Sequence, residues 1–398
     1  MTSTGWCKYL YSYYDFANSF FNILINYFLH KMKFCLILSL GVRGGSVVYA
    51  QEVIDKLSVD KTVIVSISSE VKKPKYDYCW ITHRNPYEFF LYSLTLLPIY
   101  LIKTIYLLLK NRYSVIYLPY LHFWSIFFIL IFKIFGKKTV ITIHDGFGYN
   151  KNVANNSIWR SRKSMYAIQY LTLLCIRMAD SLIFLSDYVK QELQEKFLFK
   201  ARCFTIPHAP IVPQNLLQVP RKHKQKPNLL FFGKVLPSKG VENLIAAMTQ
   251  INPNLYNKLS IVGKHYYDLD IAINNQKIVV IDRFIPETEV ASFFNKADIL
   301  ILPYLQASQS GVATIGIAAG LPMVATKTGG LTEQLKPNEE GIFVESHPTS
   351  IAEGILTLIK NKYLYETISQ NLISKQNKLS WQDISGSVAN IIQTTADN

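Results

Sequence analysis

The stretch that most constrains this chain of 398 residues lies between residues 298 and 335, DILILPYLQASQSGVATIGIAAGLPMVATKTGGLTEQL. Its apolar run Ile299–Leu302 has the length and composition of a buried strand and ends at Pro303. A loop of small polar residues follows, and Ser310-Gly311 then opens a segment in which Val312, Ile315, Ala318 and Ala319 recur at helical spacing. Strand, polar loop and helix start, in that order, set backbone N–H groups and hydroxyls at a helix N-terminus, which suits an anionic group such as a phosphate. Gly320-Leu321-Pro322 stops the helix and feeds a short buried strand at residues 323–325. A Thr328-Gly329-Gly330 turn and Glu333 come next.

Taken as a block, these residues resemble the donor half of the family 4 nucleotide-sugar glycosyltransferases, which have the two-domain GT-B fold. In that family a loop, a helix, a G-x-P-V-V-A strand and a G-G-x-x-E turn line the donor site in this order. The matching residues are Ser310-Gly311, Gly320-Leu321-Pro322-Met323-Val324-Ala325 and Gly329-Gly330-Leu331-Thr332-Glu333. The family often carries two glutamates eight positions apart here, and Ala307 and Ile315 stand in their places. A branch that reads S-Q-S-G-V shares that loss, and Ser308-Gln309-Ser310-Gly311-Val312 fits it. The resemblance implies donor contacts from Gln309, Ser310, Gly311 and Val312. With the ribose-binding carboxylate gone from its usual place, Glu333 is the substitute candidate.

The resemblance extends to Gly233-Lys234-Val235-Leu236-Pro237-Ser238-Lys239-Gly240. This is similar to the family's G-R-x-x-x-x-K-G turn, whose two cations hold the donor diphosphate. Lys234 in the Arg place keeps the charge and loses the bidentate fork. Ser238 is expected to cap a helix at residues 239–251. Arg283-Phe284-Ile285-Pro286 resembles the family's loop against the nucleotide base. In the first half, a strand at residues 139–143 ends in His144-Asp145-Gly146, and a His just past the carboxyl end of a parallel strand lies in the crevice where α/β proteins bind ligands. The family carries an I-H-D or F-H element there, beside the donor sugar, so His144 is the candidate catalytic residue. His208, in Pro207-His208-Ala209, reads as structural. Gly41, Gly44 and Gly45 form a turn between a strand at 34–40 and a helix at 46–57. Their spacing is not the dinucleotide fingerprint, so NAD is not indicated. In GT-B enzymes this turn faces the cleft, which puts Gly44 and Gly45 on the acceptor side; the plain alternative is a tight turn that needs positive φ.

The chain is long enough for two domains. We expect a first domain at residues 32–210, a proline-rich basic linker at 211–227, a second domain at 228–379, and a crossover helix at 380–398. Strand and helix patterns alternate in both halves: strands at 62–66, 114–117, 181–185 and 203–206 with helices at 167–178 and 187–196, then strands at 228–232, 259–262 and 278–281 with a helix at 287–296. Alternation of this kind implies parallel sheets with covering helices. Residues 150–165 read as a mobile loop over the cleft. Residues 1–31 are aromatic and apolar, with Asp15, Asn18, Asn22 and Asn26 interrupting them. They make a poor membrane span and lack the cleavage site of a signal peptide. Met32 looks like the ordinary beginning of a family 4 enzyme, so either it is the start or residues 1–31 are an appended surface helix.

Charge adds a partner class. Residues 1–210 hold 25 Lys and Arg against 12 Asp and Glu, whereas residues 211–398 hold 17 against 15, so the net +15 belongs almost entirely to the first half. Residues 86–138 form two strongly apolar helices bordered by Lys103, Lys110, Arg112, Lys133, Lys137 and Lys138. Pro98, Lys103 and Lys133 keep either run short of the ~20 uninterrupted residues of a bilayer crossing. A basic, aromatic-edged helix surface is what a monotopic protein presents to an anionic membrane; ordinary helix-on-sheet packing is the other reading. Five widely spaced cysteines without a C-x-x-C pair suggest neither zinc nor a disulfide framework, and a cytoplasmic location, peripheral on the inner membrane face, is expected.

The function implied is transfer of a sugar from a nucleotide-diphosphate sugar to an envelope glycan or lipid-linked acceptor, with retained configuration and no metal or cofactor beyond the co-substrate. Asp268-Leu269-Asp270 spells D-x-D but falls in a helix-like connection. Asp145 and Glu333 are the nearby carboxylates. A second reading, prompted by Ala307 and Ile315, is a catalytically weak GT-B subunit that serves as a scaffold. Nucleic-acid binding has the charge it needs but no recognisable module.

Overall fold

The computed structural model describes residues 34–42, 44–68, 73–111, 113–145, 162–267, 269 and 276–398. Residues 1–31, Gly146, most of the expected 150–165 loop, and Asp268 and Asp270 lie outside them.

The first sheet holds β1 (Phe34–Ser39), β2 (Lys61–Ser66), β3 (Tyr78–Trp80), β4 (Tyr113–Leu118), β5 (Lys138–Ile143), β6 (Ser181–Phe184) and β7 (Arg202–Thr205). All are parallel, in the order β3-β2-β1-β4-β5-β6-β7. Its helices are α1 (Gly45–Lys56), α2 (Pro86–Lys110), α3 (Ser125–Ile134), α4 (Arg162–Met178) and α5 (Asp187–Lys196). The second sheet holds β8 (Asn228–Phe232), β9 (Lys258–Val262), β10 (Ile278–Ile281), β11 (Ile299–Leu302), β12 (Met323–Thr326) and β13 (Ile342–Val344). Its order is β10-β9-β8-β11-β12-β13, again parallel. Its helices are α6 (Val241–Met248), α7 (Glu287–Lys296), α8 (Gly311–Ala318), the single turn α9 (Leu331–Gln334), α10 (Pro348–Lys360) and α11 (Lys362–Gln376). Helices on both faces explain why strands such as β11 are apolar at every position and wholly buried.

These are two doubly wound domains, the arrangement of the GT-B fold. Each sheet reverses its strand order once, between β1 and β4 and between β8 and β11, and such switch points open a crevice at the carboxyl edge of a sheet. The last helix, α12 (Trp381–Asp397), packs on the first domain. There Ile384, Val388 and Ile392 join the core around Cys35, Val63 and Val115, and the Ser385 hydroxyl donates to the Val53 carbonyl at 3.2 Å.

Two expectations change, and one short strand appears that was not expected. Pro98 does not interrupt its helix: α2 runs unbroken for 25 residues and is long and apolar enough to cross a membrane by length and composition. Pro98 lies on the exposed side, where its missing N–H costs one hydrogen bond in a long ladder. The expected helix at 239–251 divides into a 3-10 turn, Pro237–Lys239, and α6, separated by Gly240 at φ 62°. Ser238 therefore lies inside the turn and caps nothing. Strand β3 has three residues, too few to show a period.

Candidate active site

The loops after β8, β11 and β12 converge at the second switch point. The Gly233 N–H donates to the Val262 carbonyl at 2.9 Å. Gly233 and Gly263 have φ 121° and 143°, and a Cβ on Gly263 would lie 1.8 Å from the Gly233 carbonyl oxygen, so only glycine fits there. Lys234 is exposed. Lys239 is seated instead. Its ammonium lies 3.6 Å above the ring of Tyr304, itself buried, in a cation–π contact. The 3-10 turn that carries it is strapped to the β11 loop by the Leu305 N–H donating to the Ser238 carbonyl at 2.9 Å.

At the start of α8 the Ser310 hydroxyl accepts from the Ala313 N–H at 3.1 Å, an N-cap. The Ser310 N–H is already given to Gln334 Oε1 at 2.7 Å, and Gln334 Nε2 donates back to the Ser310 carbonyl at 3.2 Å. The expected anion contact from the Ser310 amide is thus corrected; the first-turn N–H groups of Gly311 and Val312 have no partner within the helix. Two buried atoms nearby, Ser238 Oγ and Gln309 Oε1, have no protein hydrogen-bond partner, and a polyhydroxylated ligand would satisfy them. Ala307 and Ile315 are buried, Ile315 against the domain core. A carboxylate at either position would be desolvated, so the apolar pair fits its surroundings.

The first domain contributes the end of β5. His144 Nε2 lies 2.8 Å from the Pro119 carbonyl. A carbonyl only accepts, so Nε2 carries the proton and Nδ1 is left as an acceptor. The ring meets Tyr49 edge-on at 4.9 Å, and burial lowers its pKa to about 4 against the opposing Pro119 bond. Asp145 follows directly on His144 and is exposed. Desolvation raises its pKa, and the charges of Lys239 and Lys234 across the cleft oppose that rise. Hydroxyls, N–H groups and two ammonium groups make a donor set for an anion. Among the described residues no three of His, Cys, Asp or Glu come together.

The remaining candidates are dispersed. Gly44 has φ 105° at the start of α1, and Gly45 is exposed with open space where a side chain would go; both border the carboxyl edge of β1. Arg283 is turned to Glu289, with Nη1 3.2 Å from its carboxylate, and Phe284 is half exposed. The Ile285 side chain is in the core, so only its backbone could meet a base. Glu333 is a correction as well. It does not face an open ribose site: its carboxylate accepts the N–H groups of Asp187 (2.8 Å) and Tyr188 (2.6 Å) at the N-terminus of α5. Beside it, the Ser186 hydroxyl donates to the Ser308 carbonyl at 3.2 Å. Glu333 is thus a clasp between the domains. We expect Glu333→Ala to cost less than about 1 kcal/mol of stability, since the group is exposed. The ligand-free protein should nonetheless open, giving a larger radius of gyration by small-angle scattering; an unchanged radius would remove the clasp.

Three imidazoles, His208 buried and His122 and His144 half-buried, set a pH dependence. Burial lowers His144 and His208 to about 4 and, with His83 beside it, His122 to about 3. Unfolded, each binds a proton near pH ~6.5. The unfolded chain therefore holds more protons between pH 6.5 and 4, so stability falls as the solution is acidified through that window. By pH ~5 the loss is on the order of 1 to 2 kcal/mol per histidine. A urea midpoint unchanged between pH 7 and pH 5 would contradict this.

Sequence reading missed Tyr304, the seat of Lys239, and the Gln334 and Ser186 partners; Tyr304 stands directly after Pro303 at the end of β11, the one local signal available.

Residues 43–209 match the family described as Glycosyltransferase Family 4, and residues 226–361 that described as Glycosyl transferases group 1. An uncharacterized glycosyltransferase of Methanocaldococcus jannaschii is 30% identical over 261 residues, which cover 65% of this chain and 69% of its own. Sucrose-phosphate synthase of Thermosynechococcus elongatus has a similar structure, with a TM-score of 0.69 at 17% identity over 91% of this chain and 98% of that one. So does Anabaena HepE in complex with UDP-glucose, with a TM-score of 0.66 at 14% identity over 91% and 99%. At these identities the structural likeness concerns the fold.

Proposed function

The chain belongs to the family 4, or group 1, glycosyltransferases, and on that premise we propose that it moves a sugar from a nucleotide-diphosphate sugar to a glycan or lipid-linked acceptor. The observation that carries this reading is Lys239, held on the Tyr304 ring beside the open N-terminus of α8 at the switch point of the second sheet. Charge grows on the diphosphate as its bond to the sugar breaks. The Lys239 and Lys234 ammonium groups and the Gly311 and Val312 N–H groups stabilise that charge with little reorganisation. Ser238 and Gln309 offer polar atoms to the same ligand.

His144 enters this scheme as a neutral ring. Its protonated Nε2 is fixed by Pro119, so Nδ1 accepts from a sugar hydroxyl and orients the donor. Asp145 faces the charges of Lys239 and Lys234 across the cleft, and we assign it no covalent role. The departing diphosphate is then the base nearest the acceptor hydroxyl. It takes that proton as the new glycosidic bond forms on the face it leaves, which retains the anomeric configuration.

Release of nucleoside diphosphate from a panel of sugar nucleotides, with and without a membrane extract as acceptor source, tests the proposal. Extract-stimulated release from one donor is expected. A protein that binds the nucleotide yet releases none over background would favour a scaffold instead.

A further inference from the structure

Helix α2 inverts the pattern of an ordinary surface helix, whose outer face is polar. Its inner residues, Leu97, Tyr100, Leu107 and Leu108, are buried in the first domain. Its outer residues Tyr87, Phe90, Leu94, Ile102, Tyr106 and Leu109 are each more than half exposed. Only 28% of its most apolar window is buried. The adjacent α3 adds exposed Phe127, Leu130 and Ile134, the last 80% open. A contiguous apolar face of this kind marks an interaction surface. Trp80 stacks on Tyr100 at 4.4 Å with the rings 1° apart, which holds the inner face of α2 to the first domain.

Charge selects the occupant. Lys103 and Lys110 stand exposed within the apolar stripe. Glu88, at its start, is engaged by the Arg84 N–H and the Asn85 amide. A two-fold dimer through this face would bring like lysines into one interface. A layer of anionic headgroups would meet them with opposite charge, the lysine stems lying along the apolar surface. The charge excess of residues 1–210 acts in the same direction. We propose that the outer face of α2, continued by α3, docks on an anionic lipid surface, with the aromatic and aliphatic side chains entering the headgroup boundary. This inference is independent of the donor chemistry.

Co-sedimentation of the full chain with phosphatidylcholine vesicles, with and without phosphatidylglycerol, tests it. Binding is expected to the anionic vesicles and to weaken in high salt. Leu94→Glu with Ile102→Glu should lower the partition coefficient more than about tenfold, with circular dichroism and nucleotide binding unchanged. Lys103→Gln with Lys110→Gln should lower it about fivefold per lysine on anionic vesicles and leave neutral vesicles unaffected. The proposal is overturned if the wild-type chain ignores anionic vesicles, whether it sediments as a dimer, with a second copy on the face, or as a monomer. It is equally overturned if both variants bind like the wild type.

Discussion

Lys239→Ala is expected to lower kcat/KM for the sugar nucleotide by about 10²- to 10³-fold, the loss that follows removal of one preorganised donor to a developing anion. The size follows from how the side chain is held. A lysine on solvent must be ordered on binding; Lys239 already rests on Tyr304, so its charge is in place before the diphosphate arrives. Lys234 remains exposed opposite Asp145 and recovers part of the attraction without the orientation. Folding should change little, because the substitution removes one cation–π contact worth about 1 kcal/mol and opens no hole in the core. Lys239→Arg keeps the charge and can stack on the same ring, and should stay within about tenfold of the wild type. An alanine variant with unchanged kcat/KM would place the diphosphate elsewhere.

The second large effect is on the fold of the same loop. Gly240 has φ 62°, and a Cβ there would lie 2.1 Å from the Pro303 carbonyl oxygen, a backbone atom that cannot swing aside. Gly240→Ala combines left-handed strain of about 1 to 2 kcal/mol with that clash. A total of about 3 to 5 kcal/mol is expected by urea denaturation, in the range reserved for real distortion. Relief would require the Pro237–Lys239 turn to part from the β11 loop, so nucleotide affinity should fall with stability. Gly45→Ala is the matching control: the site is exposed, nothing lies within 4 Å of its Cβ, and the change should be neutral or stabilising by up to about 1 kcal/mol. Equal stability of Gly240→Ala and wild type would mean that the loops can separate freely.

Much of this architecture was legible because its signals are local. Strands buried on both faces read as unbroken apolar runs, so β8 and β11 fall at the residues their patterns predict, as do the partly exposed edge strand β10 and helix α7. The basic turn that begins at Lys234 was readable for the same reason, since it follows a strand end, and so was the helix start at Ser310-Gly311. What escaped depends on partners far away in the chain. Glu333 looked like a ligand group because nothing near it in sequence shows that the α5 N-terminus, some 145 residues earlier, takes its carboxylate. Lys239 needed Tyr304 from another strand to become a seated cation. Ser238 had the residue type of a cap, but Gly240 breaks the helix it would have capped. In helix α2, Pro98 shortened the apolar run that was read, yet the helix continues through it because the packing of its inner face offsets the lost hydrogen bond and the crowding of the preceding turn.

Calorimetric titration of UDP, GDP and ADP into the full chain, beside Lys239→Ala, decides whether Lys239 holds a donor diphosphate. One of these nucleotides should bind with a micromolar Kd, and the variant should lose that binding. No heat of binding from any of them, or equal affinity in both proteins, would contradict it.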